Sequence, residues 1–463
     1  MPAGREWGNL AGPESIWAAH SQVVEQMPKA ETATGERNFE VVGIARVEGE
    51  GTLRLRITDG EVSEARLSIF EAPRYFEKLV VGRTPNEVVD MVARICGICP
   101  VAYQMGASMA FEHLFEVEID PQVRALRKLF YWGEWIESHA LHVYMLHAPD
   151  FLGYESAIAM ARDHKPVVEQ ALRLKRTGNE IMKMIGGRAI HPVSMRVGGF
   201  SRTPSKDQIR AFREPLAEAL ALSQATLKLV AAFKAPRFER DPLYVAIKHP
   251  IEYGLNEGRI VSTDGIDVPL WGWREAFREE QHEGSNALHA RTLDGRTYQL
   301  GPSARVTLNA DQLHPLAQEA LKASGLARQI ARNPYWSIAA RAVELIHASA
   351  EALAIVNAYE EPARPSTPWT PRGGETGWGS EAPRGICWHH YDLDDNGKVA
   401  AAQIIAPTGQ NQGMIEQDLA EFAPQVLSLP HAEATVRLEQ LIRSYDPCIS
   451  CATHFLTLEI ERD

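Results

Sequence analysis

The amino-acid sequence predicts an α+β protein that is predominantly α-helical, with a central bundle of long helices carrying a metal site and β-rich lobes at its periphery. Three observations predict it. Apolar residues recur at helical spacing from about residue 85 to 235 and again over 337–359. Alternating apolar and polar residues are confined to short runs beside Asp-Gly turns. Two Cys-x-x-Cys pairs stand near opposite ends of the chain, which only a closed tertiary fold can bring together.

Taken in order, residues 1–38 are polar, lack clear periodicity and read as an N-terminal arm. Residues 39–84 form a β-rich lobe: Leu53, Leu55 and Ile57 alternate with Arg54 and Arg56, and Asp59-Gly60 supplies a hairpin turn before a second run holding Val62, Leu67 and Ile69. Residues 85–240 make a helical core that contains the first cysteine pair, with amphipathic stretches over 123–147 and 208–234. Residues 241–308 read as a strand-containing excursion, because Asp264-Gly265 and Asp294-Gly295 separate short β-prone runs. Helix returns within 309–360. Residues 361–454 begin as a Pro- and Gly-rich loop over 361–385 and continue through a hairpin at Asp395-Asn396-Gly397. They end in a helix over about 431–444 that Asp446-Pro447 should stop, since the residue before proline disfavours the α region. Residues 455–463 are a short tail.

Composition narrows the class of function. Apolar residues make up 45% and charged residues 23%, as in soluble globular chains. With 48 Lys and Arg against 60 Asp and Glu, the net charge is −12, and no basic run is sustained, which argues against nucleic acid as a partner. No run of about 18 uncharged apolar residues is long enough to span a bilayer, and residues 1–30 lack the apolar core of a secretory signal. Five cysteines are too few for a disulfide-stapled scaffold and fit a reducing compartment. The expectation is a cytoplasmic protein without a membrane span.

Four of those cysteines form Cys96-Gly-Ile-Cys99 and Cys448-Ile-Ser-Cys451. Each turn lets two thiolates face one centre, and together they offer four sulfurs to a soft or borderline metal. Closing the loop of about 350 residues between them costs on the order of 5 kcal/mol, which about 10–16 kcal/mol of metal binding offsets. A four-cysteine zinc site that staples a non-catalytic scaffold is one reading. Zinc ribbons, however, usually space their pairs by about 15 to 20 residues. A thioredoxin-like redox pair is another, although neither pair lies in a short βαβ context.

Flanking residues carry the sequence further. Arg94-Ile-Cys96-Gly-Ile-Cys99-Pro100 and Asp446-Pro447-Cys448-Ile-Ser-Cys451-Ala-Thr-His454 resemble the paired signatures of the nickel-iron hydrogenase large subunit. Further matches are Arg46-Val47-Glu48-Gly49, Pro73 to Glu77, Gly187-Arg188, His191-Pro192, Gly198-Gly199, Ala382-Pro383-Arg384-Gly385, and Pro407-Thr408 with Asn411. The resemblance spans roughly residues 40 to 454. Cys99-Pro-Val-Ala-Tyr-Gln104 and Ser138-His139-Ala140-Leu141-His142 look like the soluble branch that couples to nicotinamide cofactors or reduces sulfur. The quinone-site subunit of respiratory complex I shares the fold but normally lacks the four-cysteine set.

The resemblance implies reversible oxidation of H2 by heterolytic cleavage at a nickel-iron centre whose iron carries CO and cyanide. It makes Cys96 and Cys448 terminal nickel ligands and Cys99 and Cys451 bridging ones. The proton would pass from Cys448 to Glu48. Arg384, paired with Asp446, would overhang the open metal position, and Thr408, Pro383 and Arg384 would contact the cofactor. Glu77, the Ile404 carbonyl and His454 would hold Mg2+, an ion suited to hard oxygen ligands. The tail after His454 would be removed by a maturation endopeptidase acting with nickel-insertion factors. Three residues depart from the commoner pattern: Tyr103, Ser138 and Glu50 stand where many members carry histidine, aspartate and histidine.

Once four thiolates are used only Cys387 remains, and an iron-sulfur cluster normally requires four ligands, so the electron relay must lie on a partner. An iron-sulfur small subunit is implied, with a flavin- or NAD(P)-binding reductase module beyond it. Gly377-Trp-Gly379-Ser-Glu-Ala382 matches a dinucleotide fingerprint only as a string, because Pro383 follows and no strand-turn-helix unit surrounds it. His139, His142 and His147 read as packed histidines rather than a second metal site. Cys387 reads as a small apolar residue.

Overall fold

A computed structural model describes residues 37–453 of the 463; the expected arm up to residue 36, His454 and the tail lie outside the described residues. The alternation in the first lobe produces a half-buried antiparallel meander of β1 (Arg37–Val42), β2 (Gly51–Thr58) and β3 (Glu61–Ile69). In β2, Leu53, Leu55 and Ile57 are buried while Arg54 and Arg56 face solvent. A loop after β1 carries Glu48 toward the far end of the chain, where it pairs with Cys448 in a parallel bridge.

Helices then take over. In α1 (Pro85–Val92) Thr84 and Glu87 form a capping box, and Pro100 opens α2 (Pro100–Phe115), which is buried along most of its length. Asp120 caps α3 (Pro121–Leu141) through the amides of Gln122 and Val123. The helix runs on as a π-helical turn over His142–His147. α3 packs against α4 (Lys165–Gly186), backbone to backbone: a Cβ on Gly178 would lie 2.4 Å from the Gly133 carbonyl oxygen, so only glycine permits this approach. The amphipathic stretch expected over 208–234 is interrupted, with α5 restricted to Arg213–Ala231. α6 (Ser337–Ala358) packs on α3 and α5, completing the bundle around one large apolar core. Small antiparallel sheets lie between, one of Val245–Lys248, Arg259–Ser262 and Asp267–Pro269 and one of Phe277–Glu280 and His289–Thr292.

A third three-stranded sheet follows, β4 (Gly374–Ala382), β5 (Gly385–Leu393) and β6 (Val399–Ile405), and β4 packs on α2. β4 occupies ground expected to be loop. Its glycines mark tight packing: a Cβ on Gly377 would meet the Trp388 ring at 2.8 Å. α7 (Pro407–Val426) was not foreshadowed, because it begins Pro-Thr-Gly-Gln-Asn-Gln-Gly, a poor helix-forming run. It lays Met414, Ile415, Leu419 and Phe422 against Leu53, Leu55, Ile57 and Leu67 of the first lobe. α8 (His431–Tyr445) ends at Asp446, whose φ of 56° turns the chain out of the helix just before Pro447. No helix among the described residues is long and apolar enough to cross a membrane.

Candidate metal centre

The first cysteine pair fills the junction between α1 and α2. Cys96 Sγ accepts the amides of Ile98 at 3.3 Å and Cys99 at 3.1 Å, which folds the turn around its own sulfur. Cys99 is the N-cap of α2. The next amides, of Val101 and Ala102, go to the Glu134 carboxyl of α3 at 2.6 and 3.3 Å. Burial pushes the Glu134 carboxyl well above its ordinary range although these two bonds work against the shift, so it holds its proton.

The second pair follows α8. The Cys448 amide donates to Thr408 Oγ1 of α7 at 2.9 Å, and the Ile449 amide donates to the Glu48 carbonyl at 2.9 Å. The Glu48 carboxylate takes the Ser450 amide at 3.1 Å and the Ser450 hydroxyl at 2.6 Å. Arg74 ties the two loops together, donating to the Ile95 carbonyl at 2.7 Å and to the Ser450 carbonyl. In the sequence, Arg74 stands out only as part of a motif.

These supports bring all four cysteines together. Their sulfurs are buried and lie within 4.8 Å of one another, with Cys96 and Cys448 Sγ 3.6 Å apart. Two sulfurs bonded to one metal at about 2.3 Å each are at most about 4.6 Å apart, so the cluster is the size of a single ligand set. Burial opposes a charge on Cys96, but hydrogen bonds from the other three thiols and the field of Arg384 outweigh it and hold Cys96 well below its ordinary value. Burial drives Cys99 the other way, well above it. Burial likewise raises Cys451, and a metal cation bound beside the Cys96 sulfur would deprotonate the remaining thiols outright.

Arg384 closes the site from the tip of the β4–β5 hairpin. It is buried, and donates through Nε to the Asp446 carbonyl at 2.7 Å and through Nη2 to Asp446 Oδ1 at 3.1 Å. Burial works against its charge, but Asp446 and the sulfurs of Cys448, Cys99 and Cys96 hold the guanidinium protonated. Arg384 Nη1 and Asp446 Oδ2 are buried without hydrogen-bond partners, although Arg341 Nη2 lies 3.9 Å from Asp446 Oδ2. Orphaned polar atoms beside four convergent sulfurs fit a centre that carries polar ligands of its own.

A family model described as nickel-dependent hydrogenase matches residues 74–167 and 278–454. The chain belongs to this family. It is 34% identical over 423 residues to the alpha chain of sulfhydrogenase 1 of Pyrococcus furiosus, covering 90% of this chain and 97% of that one. It is 31% identical over 454 residues to a chain of the F420-non-reducing hydrogenase of Methanothermobacter marburgensis, covering 89% and 93%. Its fold superposes with a TM-score of 0.82 on an NAD+-reducing [NiFe]-hydrogenase solved in the H2-reduced state, at 25% identity and covering 90% of this chain and 99% of that one. The chain is the catalytic large subunit of a nickel-iron hydrogenase.

Glu77, on the single turn Phe76–Leu79, accepts the Ile404 amide at 2.7 Å, so these two neighbours meet, while His454 lies outside the described residues. Burial raises the Glu77 carboxyl to about 8, the Ile404 bond opposing it and Glu279 adding to it. Pro383 sits beside Arg384, its carbonyl accepting from Arg305 Nη2 at 2.9 Å. Tyr103 and Ser138 are buried with hydroxyls that find no hydrogen-bond partner, whereas Glu50 faces solvent. His139 pairs with Glu344 at 2.9 Å and His142 with the Arg443 carbonyl at 2.7 Å, so the three histidines do not share a ligand set. Cys387 is buried, and its sulfur lies 3.4 Å from His389 Nε2, which is more polar than the apolar packing expected for it.

Proposed function

We propose that this protein oxidises H2, and makes it in the reverse direction, at a nickel-iron centre that Cys96, Cys99, Cys448 and Cys451 would hold, Cys99 and Cys451 serving as ligands to both metals. The convergence of four buried sulfurs beside a buried cation carries this reading. When bound, the nickel and an iron bearing CO and cyanide would supply the Lewis acidity and the electron acceptor that H2 ⇌ 2 H+ + 2 e− requires.

The chain's own residues then manage charge. Cys448 Sγ takes the proton, and Glu48, whose carboxylate grips Ser450 two residues on, carries it away. Arg384, anchored by Asp446, offers fixed positive charge to the centre, and Pro383 and Thr408 would contact its ligands. Glu77, with the Ile404 carbonyl and His454, would hold Mg2+. The electrons leave for an iron-sulfur small subunit, then pass through a flavin or NAD(P) reductase module to NAD(P) or sulfur. The names of relatives support this direction, among them the NAD-reducing hydrogenase HoxS subunit beta of Cupriavidus necator and the sulfhydrogenases. The assembly is cytoplasmic, and the tail beyond His454 is removed after nickel insertion.

Metal analysis of the purified protein, paired with infrared spectroscopy, tests the proposal. One nickel and one iron per chain, with stretching bands of CO and cyanide, are expected. One zinc without such bands would mean that the cysteines staple a scaffold.

A further inference from the structure

Beneath the Arg384 turn lies a second buried arginine that the mechanism above leaves unused. Arg305 and its two carboxylate partners are fully buried. Its Nε and Nη2 make a two-point contact with Glu344 at 2.7 and 2.8 Å, and its Nη1 reaches Glu381 at 2.9 Å. The two remaining donors go to consecutive backbone carbonyls, Nη1 to Ala382 and Nη2 to Pro383, each at 2.9 Å. All five guanidinium donors are therefore used. The plane of the group lies over the Trp135 ring, 4.1 Å from its centroid. Glu344 is fixed in turn by His139 at 2.9 Å and Tyr253 at 2.8 Å, and Glu381 by the Ile247 amide at 2.9 Å.

A two-residue hairpin closes without such a device. Here a buried cation, two buried carboxylates and an indole are spent on two carbonyls, and the residue after those carbonyls is Arg384. Its own carbonyl is boxed in as well: Asn411 Nδ2 donates to it at 3.4 Å, and a Cβ on Gly301 would lie 2.9 Å from it. The main chain of Arg384 is thus clamped on both sides while its side chain is clamped by Asp446. Displacing a reacting centre's charge by about 1 Å can cost about 100-fold in rate, so a clamp of this stiffness has a kinetic use.

We infer that Arg305 is a positioning residue for hydrogen turnover: through the Ala382 and Pro383 carbonyls it fixes where the Arg384 guanidinium stands over the four sulfurs. The inference rests on the placement of Arg384 at the nickel-iron centre proposed above.

The holoenzyme carrying Arg305→Lys, Arg384→Lys or both tests it by kcat and KM for H2, metal content, melting temperature and infrared spectrum. Arg305→Lys should retain nickel and iron, lower kcat about 10- to 100-fold with little change in KM, and move the cyanide bands. In the Arg384→Lys background the same change should alter kcat less than about twofold, because both act through one group. Full metal loading with unchanged kcat and unmoved bands would overturn the inference, as would a loss that multiplies in the double variant. Should Arg305→Lys not fold, Glu381→Gln keeps the Ile247 contact and should still move the bands; unmoved bands there would overturn it equally. Failure of the underlying reading shows separately, as wild-type protein without nickel, iron or these bands.

Discussion

The Cys96–Cys99 loop takes its shape largely from nearby chain: its own amides fold onto the Cys96 sulfur, α2 starts at the next residue, and Arg74 and Glu134 reach its flanks from 21 and 33 residues away. The Cys448–Cys451 loop is held from afar, by Thr408 forty residues away and by Glu48 and Arg74, which are 402 and 376 residues from Ser450. Half of the ligand set is therefore a property of local chain geometry, and the other half a property of the finished fold. The distant supports also carry the charge chemistry, since Glu48 both braces the second loop and is the proposed proton carrier. The first loop's support from Glu134 is neutral and serves shape alone.

This contrast can be broken or sharpened by substitution. The largest effect is expected at the second loop itself: Cys448→Ser should abolish H2 uptake, with turnover down more than about 1,000-fold and nickel lost from the chain. Normal uptake by that variant would reject the ligand assignment. Glu48→Gln should come next. Its amide oxygen can still accept one bond from Ser450, so nickel and iron should stay, while H2/D+ exchange falls about 100-fold or more. Unchanged exchange would leave Glu48 a brace and nothing else.

The smallest effect is expected at the first loop. Glu134 holds its proton in the folded protein, so Glu134→Gln should be close to neutral in melting temperature, whereas Glu134→Leu strands two buried amides and should cost about 1–3 kcal/mol. The folded chain binds this proton more tightly than the unfolded chain does. Wild-type stability should therefore fall relative to Glu134→Gln as pH rises above the usual carboxylate range. Melting curves of both proteins across pH would show this, and parallel pH profiles would mean that Glu134 is ionised.

Legibility in the sequence followed exposure and spacing. β2 was readable because one of its faces meets solvent, so Leu53, Leu55 and Ile57 alternate with arginines. β4 was not, since it is packed on both sides and its glycines mimic a loop. The end of α8 was written in Asp446-Pro447, but nothing in the helical pattern announced the π-turn over His142–His147. At the centre, the cysteines were legible as pairs, and Glu48, Arg384 and Asp446 as motif positions. Arg305, Glu344 and Glu381 were not, because a polar network built from scattered residues leaves no periodic or short-range trace.

The parallel bridge between Glu48 and Cys448 also sets a clock on biosynthesis. A ribosome adding about 5–20 residues per second needs on the order of 20–80 s to travel from one partner to the other. Once residue 99 has been added, and for most of that interval, Cys96 and Cys99 have no opposite pair to share an ion with. An accessory factor acting during synthesis would therefore meet two thiols and not the four-sulfur cage.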